Sequence, residues 1–171
     1  RPHLDSASCL VELGAGYGSK LLALAQREGF SNLSLLAGEY THSGRELISI
    51  LAKSLDMPIA VGYCDFREMK IDDLGIPENA LIFTSYAAHY VPELSNDFIS
   101  FLCRLRPRAV VHFEPCYEHY AIDSLHGMMC RRYVELNDYT RNLASIIEAG
   151  QERGQISLRV QKNVLGSNPF L

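Results

Sequence analysis

The chain predicts an α/β fold, a three-layer α/β/α, doubly wound and mostly parallel sheet. Short apolar runs alternate with helix-period segments along the whole length of the 171 residues. Those runs are continuous rather than strictly polar/apolar, the mark of strands buried on both faces. Right-handed crossovers then make the doubly wound sandwich the economical topology. A hydrophobic content of 47% is enough for one real core, so residues 1–171 read as a single domain.

The first strand is expected at Cys9–Leu13 and the first helix at Ser19–Glu28, with Leu21, Leu22 and Leu24 inward. Asn32–Ala37 gives a second strand. His42–Leu55 gives a helix capped by Ser43, with Leu47, Ile48, Ile50, Leu51 and Leu55 forming a broad apolar stripe. Met57–Tyr63 is a third strand, followed by a polar connection with room for a short helical turn. Ala80–Thr84 is a fourth strand, Asn96–Leu105 a helix stopped by Pro107, and Arg108–Phe113 a fifth strand. A long helical stretch over 121–150 is expected to break or bend at Asn137–Asp138 and close at Gly154. Gln155–Val160 would start a sixth strand.

Charge argues against one class of function. With 16 Lys+Arg against 20 Asp+Glu and no long basic run, the chain lacks the electrostatic footprint of a nucleic-acid binder. The five cysteines are scattered, odd in number and never in C-x-x-C spacing, so neither a disulfide framework nor a zinc site is expected. That usage fits a reducing cytoplasm. No apolar stretch approaches a membrane span and no signal peptide is visible, so no membrane partner is expected. The chain opens on Arg1-Pro2 rather than Met, as a fragment of a longer protein would.

The most informative stretch is Val11-Glu12-Leu13-Gly14-Ala15-Gly16-Tyr17-Gly18-Ser19. An apolar strand ends in an acid, and three glycines at every second position lead into a helix. Glycines there let the backbone bend, take positive φ and approach a ligand closely. A dinucleotide fingerprint, G-x-G-x-x-G, would have its third glycine where this chain has Ser19. An acid followed by G-x-G-x-G instead resembles motif I of the class I, Rossmann-like, S-adenosylmethionine-dependent methyltransferases.

That resemblance implies a fold, a cofactor and site residues. The cofactor would be S-adenosyl-L-methionine, held by Glu12, Gly14, Ala15, Gly16, Tyr17 and Gly18 of the first strand and its turn. Glu39, with Tyr40 beside it, resembles the acid past strand two that accepts both ribose hydroxyls, a task suited to a carboxylate's two oxygens. Asp65 and Phe66 after strand three resemble the adenine pocket, and Ser85 and Tyr86 after strand four would flank the methyl group. His89 lies where an acceptor would be deprotonated, and histidine suits base work at neutral pH.

Glu114, Glu118 and His119 form the densest polar cluster, after strand five. Glu114 and His119 are candidate catalytic groups beside His89; the substrate set is His89, Tyr90, Glu114, Glu118, Arg132, Tyr133 and Tyr139. The helical segment 121–150 would line the substrate pocket. Acids here equally suit a helix N-terminus, and their spacing fits no metal pattern, so no metal is expected. His112, inside its strand, reads as a buried histidine.

The expected reaction is methyl transfer to an O or N atom of a small-molecule acceptor. There is no N/D-P-P-Y/F after strand four, where the residues are Thr84-Ser85-Tyr86-Ala87, and Cys116 follows Pro115 only after strand five. The sheet of this family normally ends in a reversed hairpin; here the sequence stops before a seventh strand. An unpaired sixth strand would leave an edge open to homodimer formation. Two other readings compete: an NAD(P)-dependent oxidoreductase, and a non-catalytic methyltransferase-like module.

Overall fold

The computed structural model describes residues 7–30 and 32–159. It is an α/β structure with a six-stranded, mostly parallel sheet and five α-helices among those residues, compatible with a Rossmann-like layout. The strands are β1 (Cys9–Leu13), β2 (Ser34–Glu39), β3 (Ile59–Asp65), β4 (Lys70–Asp72), β5 (Leu81–Ser85) and β6 (Ala109–Phe113). The helices are α1 (Ser19–Ala25), α2 (His42–Ser54), α3 (Phe98–Arg104), α4 (Leu125–Leu136) and α5 (Leu143–Glu152). Sheet order is β4-β3-β2-β1-β5-β6, parallel throughout except for β4. The chain therefore runs outward from β1 through β2 and β3, then returns to the other side of β1. That reversal creates a switch point at the carboxyl end of β1.

The chain forms two compact units. The first is drawn from Arg1–Ala88 and Phe101–Glu114, the second from His89–Ser100 and Pro115–Leu171. The first unit holds the sheet. Residues two apart share a face of a strand, so Leu10, Leu35, Ala37, Leu81 and Phe83 line one side and pack with Leu21 and Ala25 of α1 and Ile48 of α2. Glu12, Glu39, Tyr63 and Asp65 continue that same face at the strand ends. On the opposite face Thr84 pairs with His112 across β5 and β6, Oγ1 to Nδ1 at 2.9 Å.

Several elements differ from expectation. Strands β2 and β3 end two residues later than expected: Gly38 and Glu39 keep pairing with Gly62 and Tyr63, and Cys64 and Asp65 pair with Ile71 and Lys70 of β4. Glu39 and Asp65 are thus the last residues of their strands rather than the first of their loops. The polar connection after β3 holds a strand, β4, which pairs antiparallel with Tyr63–Asp65. Gly62 allows this, since a Cβ there would lie 2.6 Å from the Asp72 carbonyl oxygen. The N-cap of α2 is Thr41, whose Oγ1 accepts from Gly44 N–H, rather than Ser43. Its buried face is the narrow i, i+4, i+8 line of Gly44, Ile48 and Ala52, and Leu47, Ile50 and Leu55 are exposed.

The expected sixth strand is not one over Gln155–Arg159; Leu158 N–H bonds to the Gln151 side chain and Gln155 to Ser100 Oγ. Val160, its last expected residue, lies outside the described residues. The interruption at Asn137–Asp138 is a break: Asn137 caps α4, Asp138 takes φ +51°, and the next helix, α5, starts only at Leu143. In the second unit Gly150 on α5 sits so close to Ile99 that a Cβ would meet it at 2.9 Å. No helix among the described residues is long and apolar enough to cross a membrane.

Leu21 is fully buried where α1 meets β1 and β2. Leu21→Ala should lower the unfolding free energy by roughly 2–5 kcal/mol, transfer and cavity terms together, as read from urea denaturation.

Candidate functional site

The turn from β1 into α1 is built on three left-handed residues, Gly14 (φ +74°), Gly16 (φ +59°) and Gly18 (φ +82°). They are not equivalent. A Cβ on Gly14 would collide with Ala87 Cβ, and one on Gly18 would press Ile48 at 3.1 Å. A Cβ on Gly16 would meet nothing within 4 Å. The turn is therefore packed at both ends and open in the middle. Tyr17, 57% exposed, stands beside that opening, while Ala15 is buried.

Each amide at the head of the turn has an acceptor. Gly14 and Ala15 N–H donate to the Gly38 carbonyl at 2.8 and 3.0 Å. Gly16 N–H donates to Glu39 Oε2 at 2.8 Å. Leu21 N–H, in the first turn of α1, donates to Glu12 Oε2 at 3.1 Å. The N-cap residue, Gly18, has no side chain to do this, so Glu12 supplies the acceptor from the neighbouring strand. Burial raises the Glu12 carboxyl from 4.5 to about 7; the Leu21 amide and the Lys20 cation oppose the rise, and the Glu39 charge adds to it.

Glu39 and Asp65 are held with similar economy. Glu39 Oε1 accepts from Thr41 N–H (2.8 Å) and Thr41 Oγ1 (2.7 Å). Asp65 Oδ1 accepts from Arg67 N–H at 2.8 Å, and Oδ2 from the Tyr63 phenol at 3.1 Å. Tyr40 is 56% exposed, its ring 5.9 Å from that of Tyr63. The Arg45 guanidinium donates to the Glu39 and Tyr40 carbonyls and lies 5.4 Å from the Tyr63 ring centre. Phe66 is buried; its ring edge lies 3.3 Å from where a Gly14 Cβ would be.

Across the switch point, the Ser85 carbonyl accepts from Lys20 Nζ at 2.9 Å, and Tyr86 takes a left-handed φ of +52°. Ala87 and Ala88 N–H both donate to the Glu114 carboxylate at 3.0–3.2 Å. Glu114, expected as a catalytic group, thus holds the loop after β5 in place. One end of the first unit therefore gathers Glu12, the glycine turn, Glu39, Tyr40, Asp65, Phe66, Ser85 and Tyr86. Sequence reasoning missed Lys20, Thr41 and Gly44 there. A Thr three residues ahead of a helix-opening Gly was the available signal for the cap; nothing local pointed to Lys20.

His89, Tyr90, Glu118, His119, Arg132, Tyr133 and Tyr139 belong to the second unit. His89 is 2% exposed, its ring centre 4.1 Å from that of Tyr90 and 4.7 Å from that of Tyr139. Tyr133 joins the cluster through Tyr139 at 6.1 Å. Burial, with the neighbouring phenols, raises the Tyr139 hydroxyl.

Glu118 Oε1 accepts from Ser145 N–H at 3.1 Å and so caps α5, whose N-cap Asn142 spends its own side chain on Leu94. His119 closes a 3-10 turn over Tyr117–His119, and Arg132 pairs with Glu135 at the surface. Cys116 donates to Glu118, and burial pushes its thiol up to about 12, which leaves no thiolate for attack at neutral pH. His112 is half-buried, and desolvation lowers its pKa. Among the described residues no three His, Cys, Asp or Glu side chains are grouped to hold a metal ion.

Compared with models of known protein families the chain matches none, and no curated protein sequence matches it.

The Glu12 shift has a definite sign. A carboxyl raised in the folded state binds its proton more tightly there, so stability falls as pH rises from about 4.5 to about 7 and stays lower above. Glu12→Gln keeps an acceptor for Leu21 without a buried charge. Its unfolding free energy, from urea denaturation across pH, should gain on the wild-type value between about pH 5 and pH 8 by on the order of 3 kcal/mol. A gap that does not change with pH would remove this account of Glu12.

Proposed function

We propose that the first unit binds S-adenosyl-L-methionine at the carboxyl ends of β1, β2, β3 and β5, and that the protein transfers the methyl group to an O or N atom of a small-molecule acceptor. One observation carries this reading: the Gly16 amide, at the open middle of the turn, is bonded to Glu39 at the point where strand order reverses.

The donor set suits the group. A carboxylate has about four acceptor positions; Glu39 uses three of them and keeps one on Oε2 for a ribose hydroxyl. Asp65 keeps one on Oδ2 for the exocyclic amine of an adenine. Lys20 Nζ, spending one donor on Ser85, has others for a carboxylate. Tyr17 and Tyr40 present exposed rings beside these groups. Glu12 is too buried to touch a ligand and acts by fixing α1. Phe66 supports Gly14 with its ring edge.

When bound, the cofactor supplies a methyl group on a positively charged sulfur. The protein's share is orientation: fixing donor and acceptor in line is worth several powers of ten in rate. Glu39, Asp65 and Lys20 would hold the cofactor, which would give its methyl group to the acceptor's lone pair and leave as a neutral thioether, the acceptor's proton passing to water. Cytoplasmic location and homodimer formation are part of the same proposal.

The test is isothermal titration with S-adenosylmethionine, with NADH in parallel. Saturable binding is expected, weakened roughly 10- to 100-fold in Glu39→Ala, the range for a hydrogen bond to a charged partner. NADH binding alone would make the site a dehydrogenase site. Binding of neither would dismiss both cofactors.

A further inference from the structure

We propose that Thr41 is a positioning residue that limits Glu39 to one ribose hydroxyl of the cofactor instead of two. This rests on the cofactor reading above. A vicinal diol is gripped twice only by a carboxylate with a vacant acceptor position on each oxygen. Glu39 Oε1 has none: Thr41 N–H and Thr41 Oγ1–H both donate to it, at 2.8 and 2.7 Å. Oε2 receives Gly16 N–H and retains a single position.

The Thr41 hydroxyl is held in that orientation from its other side. Its oxygen accepts Gly44 N–H at 3.1 Å, so its only hydrogen is left for the carboxylate. Gly44 is itself hemmed in, since a Cβ there would lie 2.6 Å from the Gly16 carbonyl oxygen and 2.7 Å from Glu39 Cγ. A chain of hydrogen bonds runs from turn to acid to cap to helix, and the tight packing of Gly44 against the Gly16 carbonyl closes it. It fixes the carboxylate with one oxygen spent and the other half spent.

The measurement is calorimetric binding of S-adenosylhomocysteine and of its two analogues that each lack one ribose hydroxyl. Wild-type protein should lose roughly 10- to 100-fold in affinity for one analogue, and stay close to the parent for the other. Thr41→Val, which frees a position on Oε1, should make both hydroxyls matter; Thr41→Ser should restore the wild-type pattern. Equal losses with both analogues in wild type, or no loss with either, would overturn the inference while leaving cofactor binding in place. Failure to bind S-adenosylhomocysteine itself would overturn the inference and the cofactor reading together. The wild-type comparison decides the matter even where a Thr41 variant melts early.

Discussion

A strand that must turn sharply into a helix beneath an open crevice creates amides with nowhere to go, and the rest of the first unit is arranged around that problem. Left-handed glycines make the turn possible, but they also aim N–H groups away from any ladder. Each unpaired amide, once buried, would cost about 1–3 kcal/mol. The Gly38 carbonyl takes two of them, Glu39 takes the next, and Glu12 takes the amide of Leu21. The price is a carboxyl desolvated enough to titrate near neutrality. Strand β2 must therefore run through Gly38 to Glu39, and α2 must start close against the turn, which only a glycine at position 44 permits.

The same device recurs away from the turn. Asp65 accepts from amides just after β3, Glu114 clamps the loop after β5, and Glu118 caps α5 from a distant 3-10 turn. An acid at a strand end is thus a weak sign of chemistry when taken alone. Hydrogen-bond count does not separate these acids, since Glu39, Glu114 and Glu118 each accept three bonds. Placement does: Glu39 alone of the three binds the amide of Gly16, the exposed middle of the glycine turn. The methyltransferase proposal depends on that placement.

Local pattern was enough to determine the alternation of strands and helices, the parallel character of the sheet, the glycine turn with its flanking acids, and the helix interruption at Asn137–Asp138. These follow from side-chain periodicity and from backbone conformations that few residues besides glycine adopt readily, and both are written in neighbouring residues. Only the tertiary structure decided that β4 is a strand, since three residues become one by pairing with Tyr63–Asp65. It alone decided which apolar residues of α2 are inward, because burial depends on what the helix faces. It also assigned Glu12 and Glu114 to backbone amides, 9 and 27 residues distant in sequence. Hydrogen-bond partners so far apart leave no periodic trace in a sequence, whereas the turn that brings them together does.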